Sequence, residues 1–227
     1  PVSEHADNFS LWNSKVNPVN SVNYGPHRDV VGECFHALRK RGIKTLATFH
    51  HQWLWGWFMS TDPDADVYDP KNEKFYGPAL PLETNRYEPY RLPDETFCRT
   101  WREKVAEVVE KYSPDALYFD SRSFLIREED RYRMAEHYYR HCSDNQGVIT
   151  YKQEDFPEGI GVLDLERGCF SEPKPFVWQC DDRLEDNITW CMVQNPAYRT
   201  ATSVIHQLCD IVSKNGNLLL NVGPYAD

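Results

Sequence analysis

The chain has 227 residues, 41% hydrophobic and 26% charged, with a formal net charge of −10, a balance that suits a folded globular chain able to bury one good core. The acidic charge and the lack of any Lys/Arg-rich block exclude a nucleic-acid partner, because nothing would neutralise a phosphate backbone. No run of about 18 apolar residues occurs, which excludes a membrane-spanning helix. The opening Pro1-Val2-Ser3-Glu4-His5 has neither the basic nor the apolar region of a signal peptide. With no initiator Met, the chain reads as processed or as a fragment.

In chain order, residues 28–41 place Val30, Val31, Cys34, Ala37 and Leu38 on one helical face, and Gly42 stops that helix. Ile43 to Phe49 predicts a short strand, and an aromatic and Pro-rich loop runs from His50 to about Arg91. Pro93-Asp94-Glu95 opens a second helix with acidic residues in its first turn, where the dipole favours them. Phe97, Trp101, Val105, Val108 and Val109 form its buried stripe. Ser113-Pro114-Asp115 breaks the helix, and Ala116-Leu117-Tyr118-Phe119 is the next strand. A helix is expected over Glu128 to Cys142, with strands over Gly147 to Tyr151, Val162 to Leu165 and Phe176 to Gln179. Thr200 to Lys214 is an amphipathic helix capped by Asn215-Gly216, and it leads into Leu218 to Val222. This alternation implies the α/β class, with parallel strands under covering helices. The absence of G-x-G-x-x-G after a strand argues for a (β/α)8-type, TIM-like barrel over a dinucleotide-binding fold.

Seven Trp and thirteen Tyr suit either a sugar site or a large aromatic core. The seven Cys show no C-x-x-C pair, so no Cys-based metal site is expected, and most should be small buried hydrophobes. The odd count leaves at least one free thiol. Asn8-Phe9-Ser10 and Asn187-Ile188-Thr189 match the glycosylation triplet, a pattern common by chance.

A barrel carries its chemistry at the C-terminal strand ends. The polar residues there are His5, His50-His51, Asp120, Tyr151-Lys152, Glu166-Arg167, Gln179 and Asn221. Two of them, Asp120 and Glu166, are carboxylates ending separate strands, the pair that glycoside hydrolysis needs. A single strand-end Asp is more often a helix cap or an ion-pair partner. Asp120 before Ser121-Arg122-Ser123 fits a cap, and Glu166 beside Arg167 fits an ion pair. On their own the residues lead to a barrel hydrolase, with glycosidases among the options.

Five ordered segments add a resemblance. Glu4-His5-Ala6-Asp7-Asn8-Phe9-Ser10-Leu11-Trp12-Asn13-Ser14 is similar to K-H-H-D-G-F-x-x-W-x-S, and Arg28-Asp29-Val30-Val31-Gly32-Glu33 to R-D-x-V-G-E. Pro114-Asp115-Ala116-Leu117-Tyr118-Phe119-Asp120 resembles P-D-x-x-W-x-D, and Glu166-Arg167-Gly168 an E-R-G segment. Val212-Ser213-Lys214-Asn215-Gly216-Asn217-Leu218-Leu219-Leu220-Asn221-Val222-Gly223-Pro224 is the longest and most specific match. All five belong to glycoside hydrolase family 29, the α-L-fucosidases, which the chain resembles over nearly its whole length.

The resemblance implies a retaining exo-glycosidase acting on terminal α-L-fucosides of glycans or glycoconjugates. Asp120 would be the nucleophile forming a covalent glycosyl-enzyme. Glu166 would be the acid/base, with Glu154, Glu158 and Glu172 as rivals, and the pair should lie about 5–5.5 Å apart. His5 and His50 would bind sugar hydroxyls, with Ala6 standing where the family carries a second His. Lys152 would lie near sugar and nucleophile, Trp190 against the fucose ring and methyl, and Gln179 beside the acid/base. His51 should face away from His50, since successive strand residues alternate, and no metal or cofactor is expected. Trp53, Trp55 and Trp57 fall on one face if their segment is extended.

By the same resemblance, residues 1–227 form a catalytic barrel domain lacking the family's first strands and any C-terminal β-sandwich, with apolar surface at an open edge. A truncated or non-catalytic fucose-binding homologue and a related α-galactoside-type barrel glycosidase stay open as alternatives. So do an extracellular, periplasmic or lysosomal location and the oligomeric state.

Overall fold

The computed structural model describes residues 1–80, 92–142, 146–186 and 190–223. The triplet Asn187-Ile188-Thr189, residues 81–91 of the long loop and Pro224 lie outside the described residues. The chain divides into two compact units, Pro1–Ile149 with Glu154–Ile160 and Thr150–Gln153 with Gly161–Asp227.

The first unit begins with strand β1 (Val2–Glu4). Helix α1 (Val30–Arg39) starts where the Asp29 carboxylate accepts from the Gly32 N–H, and it buries Val31 and Phe35. Strand β2 (Leu46–Phe49) follows. The predicted loop is partly ordered: single 3-10 turns at His51–Trp53, Asp66–Tyr68 and Pro70–Asn72 lead into the short helix α2 (Glu73–Tyr76). Helix α3 (Glu95–Tyr112) is capped by Asp94, which accepts from Phe97 N–H at 2.8 Å, and ends at Ser113 in a left-handed conformation before Pro114. Strand β3 (Ala116–Phe119) then pairs parallel with β2, Phe49 facing Phe119, while β1 pairs with the other edge of β2. Helix α4 (Glu128–His141) has three acids in its first turn and Arg140 and His141 in its last, both favoured by the helix dipole. Trp12, Trp101, Phe35, Phe49 and Phe119 are among the fully buried side chains of this core. Rings of Phe49 and Trp101 contact Phe119 at centroid separations of 5.8 and 5.4 Å.

In the second unit, strands β4 (Val148–Lys152, of which Thr150–Lys152 lie in this unit), β5 (Val162–Asp164), β6 (Trp178–Arg183) and β7 (Gly216–Asn221) pair in that order, all parallel. Helix α5 (Ala201–Ser213) is capped by Thr200 and packs Ile211 against Trp178 and Cys180. Gly216 faces Trp178 across the sheet, and a Cβ there would come within 2.6 Å of the indole, so only glycine fits. Ile205, Leu208 and Val212 on α5 are exposed.

Within each unit the strands follow chain order and run parallel, which is the winding of a (β/α)8-type barrel. The described residues contribute seven of its strands. No described helix is long and apolar enough to cross a membrane.

Three expectations change. The sixth strand runs over Trp178–Arg183 and not Phe176–Gln179. Phe176 and Val177 are exposed, whereas Asp181, Asp182 and Arg183 are buried, with Asp181 and Asp182 ion-paired, so their charges hid a strand. Of the seven thiols, only Cys98 and Cys180 are buried, while Cys169, Cys191 and Cys209 are exposed. Asn8 of the first glycosylation triplet is buried and donates its amide to the Lys74 carbonyl at 2.8 Å, so it is not a surface acceptor.

One buried ionic cluster binds three elements of the first unit. The fully buried Glu4 carboxylate of β1 meets the Lys104 ammonium of α3 at 2.7 Å and His51 Nδ1 at 2.6 Å, and Ser10 donates to its second oxygen. Lys104 also donates to Asn8 Oδ1 at 2.9 Å. Burial alone would raise the Glu4 pKa, but Lys104 and His51 outweigh it and hold the carboxyl down at about 2. A depressed acid contributes stability that is complete above its ordinary value of 4.5 and is lost as pH falls toward 2. Lys104→Met is expected to cost about 3–5 kcal/mol at neutral pH by leaving Glu4 buried and unpaired. Protonating Glu4 relieves that charge, so the deficit should narrow toward pH 4. Urea denaturation of both proteins at the two pH values measures this, and a deficit that stays constant would contradict it.

Candidate active site

The parallel register brings the residues that follow β1, β2 and β3 together. Phe49 stands opposite both Glu4 and Phe119, so the next residue of each strand emerges at the same end. His50 Nε2 lies 3.1 Å from Asp120 Oδ2, and the His5 ring stacks on His50 with centroids 4.3 Å apart. Burial, and then the charge of His50, push the His5 pKa down, with Asp7 and Asp120 opposing. His5 is therefore neutral at neutral pH and able both to donate and to accept a hydrogen bond.

The backbone at Asp120 is held by the turn after β2. Gln52 is fully buried and donates from Nε2 to the Ser121 carbonyl at 2.8 Å, while its Oε1 faces the Trp101 indole N–H. The Trp53 indole donates to the Asp120 carbonyl, and the Arg122 guanidinium sits 4.6 Å above the Trp53 ring. Ser121 and Arg122 both have positive φ, 54° and 62°, a conformation that costs L-residues about 1–2 kcal/mol each. The contacts from Gln52 and Trp53 offset that strain. Asp155 secures the far side of the loop by accepting from Phe124 N–H at 3.1 Å.

The second unit assembles a different group. Lys152, the last residue of β4, places its buried ammonium 2.9 Å from Glu166 Oε2 and 3.1 Å from Asp181 Oδ2. Glu166, two residues beyond β5, is about half exposed. Burial, then the hydrogen bond and charge of Asp181, push Asp164 up to about 8, so it keeps its proton at neutral pH. Arg167 lies 3.6 Å from Asp182 and Arg199 NH1 2.8 Å from it, so Arg167 is paired away from its neighbour Glu166. Gln179 is the second residue of β6 and faces Asp164 in register, with Asn217 donating to its side-chain oxygen at 3.4 Å. It therefore sits near the start of its strand and not at the end, because the strand continues through Asp181, Asp182 and Arg183. Trp190 is half-buried under the Arg183 guanidinium, 5.8 Å from its ring, and its carbonyl accepts from Asn221 at the end of β7. Glu154, Glu158 and Glu172 are all exposed.

His5, His50 and Asp120 thus meet in the first unit, and Lys152 and Glu166 in the second. Sequence reasoning missed Gln52, Arg122, Asp164 and Asp181. A detectable sign of buried ion pairing was Lys104, a cation inside the apolar stripe of α3, which requires a buried acid. Trp57 adjoins both Trp53 and His5, whereas Trp55 packs on Phe97. The tight turn at His51–Trp53 rotates alternate residues apart, so the three Trp do not share one face.

Compared with known proteins, residues 1–227 match the family described as Alpha-L-fucosidase. The chain is 27% identical over 246 residues to human tissue alpha-L-fucosidase and 25% identical to the rat protein, in each case covering 99% of this chain and 45% of the relative. It spans less than half the length of these curated relatives. Its structure is similar to Thermotoga maritima alpha-fucosidase in complex with fucose, with a TM-score of 0.69 and 23% identity over 99% of this chain and 46% of that one. For alpha-L-fucosidase isoenzyme 1 from Paenibacillus thiaminolyticus the TM-score is 0.70 at 22% identity, over 99% and 54%. At this identity the structural likeness speaks to the fold.

The raised Asp164 gives a test of the second cluster. An acid raised from 3.8 to about 8 contributes stability fully present below its ordinary value and lost as pH rises through 8. Asp164→Asn, neutral at every pH, is expected to lose less melting temperature than the parent between pH 6 and pH 9. Equal losses in calorimetry would show that Asp164 is already ionised.

Proposed function

The chain belongs to the α-L-fucosidase family, and from that premise we propose that it is a catalytic barrel domain that hydrolyses terminal α-L-fucosides of glycans with Asp120 as the nucleophile. The observation carrying this reading is the 3.1 Å contact between His50 and Asp120 at the ends of adjacent parallel strands, with His5 stacked beside them. In the first displacement the Asp120 carboxylate attacks C1 of the fucosyl ring and the bond from C1 to the leaving oxygen breaks. Glu166 gives its proton to that oxygen, and the sugar is left as an ester of Asp120. In the second, Glu166 takes a proton from water, the water oxygen bonds to C1, and the ester bond breaks to restore Asp120. Two inversions leave the anomeric configuration retained.

The surrounding groups suit this chemistry. His50 donates to the carboxylate and fixes which oxygen is presented, while neutral His5 can serve sugar hydroxyls on both its donor and acceptor sides. Trp190 offers a ring for the apolar face and methyl of fucose. The Lys152 ammonium orients Glu166 in its anionic form, the form that takes a proton from water in the second displacement. Glu166 is half exposed, as a group that must meet both a leaving group and water requires.

Asp120→Ala is expected to abolish release of nitrophenol from an aryl α-L-fucoside, a loss of about 10⁴-fold or more, and unchanged turnover would sink the assignment. Glu166→Ala should slow poorly activated leaving groups most and be rescued by azide. A Glu166→Ala protein as fast as the parent on natural fucosides would move the acid/base elsewhere.

A further inference from the structure

Glu110 on α3 and His137 and His141 on α4 form a cluster that the proposed chemistry does not use. The two His are four residues apart, so their side chains rise from the same face of α4. Their rings approach to a centroid separation of 4.1 Å. Glu110 reaches across from α3 to put Oε1 3.4 Å from His137 Nε2, a nitrogen that is buried and makes no hydrogen bond. One ligand atom from each of the three residues lies within 4.8 Å of the others.

This spacing suits a metal ion. With zinc–ligand distances of about 2.0–2.2 Å, neighbouring ligands of a tetrahedral centre stand roughly 3.3–3.6 Å apart, and the Glu110–His137 separation falls in that range. The support behind one ligand is also in place. His141 Nδ1 donates to the His137 carbonyl at 2.8 Å, which fixes its proton there and leaves the lone pair on Nε2. Metal-binding imidazoles are usually held by such a bond. Glu110 and His141 are exposed, so an ion can arrive from solution and water can complete the shell. Two imidazole nitrogens and one carboxylate oxygen favour zinc-like ions over magnesium or calcium, which prefer oxygen throughout.

We propose that Glu110, His137 and His141 form a binding site for one divalent transition metal ion, Zn²⁺ by the chemistry of the donors, that clamps α3 to α4. The test is calorimetric titration of the whole chain with Zn²⁺ in chelator-treated buffer at neutral pH. One saturable ion per chain is expected, with affinity reduced about tenfold or more in His137→Gln and in His141→Gln. Saturating Zn²⁺ should raise the parent's melting temperature and leave both variants unmoved, a readout independent of catalysis. Circular dichroism checks that both variants fold. Because Cys169, Cys191 and Cys209 are exposed and could take up zinc, Co²⁺ serves as a spectroscopic probe. Visible absorption without a thiolate charge-transfer band is the expected result. Absence of saturable binding, equal affinity in parent and variants, or a thiolate band would each overturn the proposal.

Discussion

The buried carboxylate of Glu4 is the constraint on which the first unit depends. A lone ionised carboxyl in an apolar interior is too costly to persist, so Lys104 must enter from α3 and His51 from the turn after β2. The consequence reaches the candidate site through one peptide bond. With His51 drawn inward to Glu4, its neighbour His50 is turned the other way, onto Asp120. The same turn carries Gln52 and Trp53, which hold the backbone of Asp120 and Ser121. An ionic cluster that at first sight only ties strands to a helix therefore sets the direction of the groups around the proposed nucleophile.

The second unit meets the same electrostatic problem with a different solution. Three acids, Asp164, Glu166 and Asp181, gather where one ammonium, Lys152, ends β4. One cation cannot balance three anions in a poorly solvated place, and the outcome is a proton retained on Asp164. Lys152 is left to share itself between Asp181 and Glu166. The proposed acid/base is thus the most solvent-exposed member of a group that shares this one ammonium.

Much of this was legible in the sequence because periodicity and capping act locally. The strand at Ala116–Phe119 matches residue for residue, and α1, α3, α4 and α5 start within about two residues of their expected positions, where Asp29, Asp94 and Thr200 supply caps. What was not legible depended on partners distant in the chain. Asp181-Asp182-Arg183 falls outside the expected strand until Lys152 and Arg199 are seen to neutralise the acids. Trp53, Trp55 and Trp57 read as one face until the 3-10 turn separates them. The resemblance pointed to Asp120 and His50 but had no means of showing that Glu4 and Lys104, on β1 and α3, govern how His50 faces it.

The central claim, that Asp120 is the nucleophile of a fucoside-cleaving site, is tested most directly by trapping. A fucosyl donor fluorinated at C2, with a good leaving group, destabilises the positive charge of both transition states while the leaving group rescues the first, so the ester accumulates. After proteolysis, mass spectrometry should find one fluorofucosyl unit on the peptide containing Asp120. Label on another carboxylate, or none after prolonged incubation with a protein that cleaves fucosides, would contradict the account.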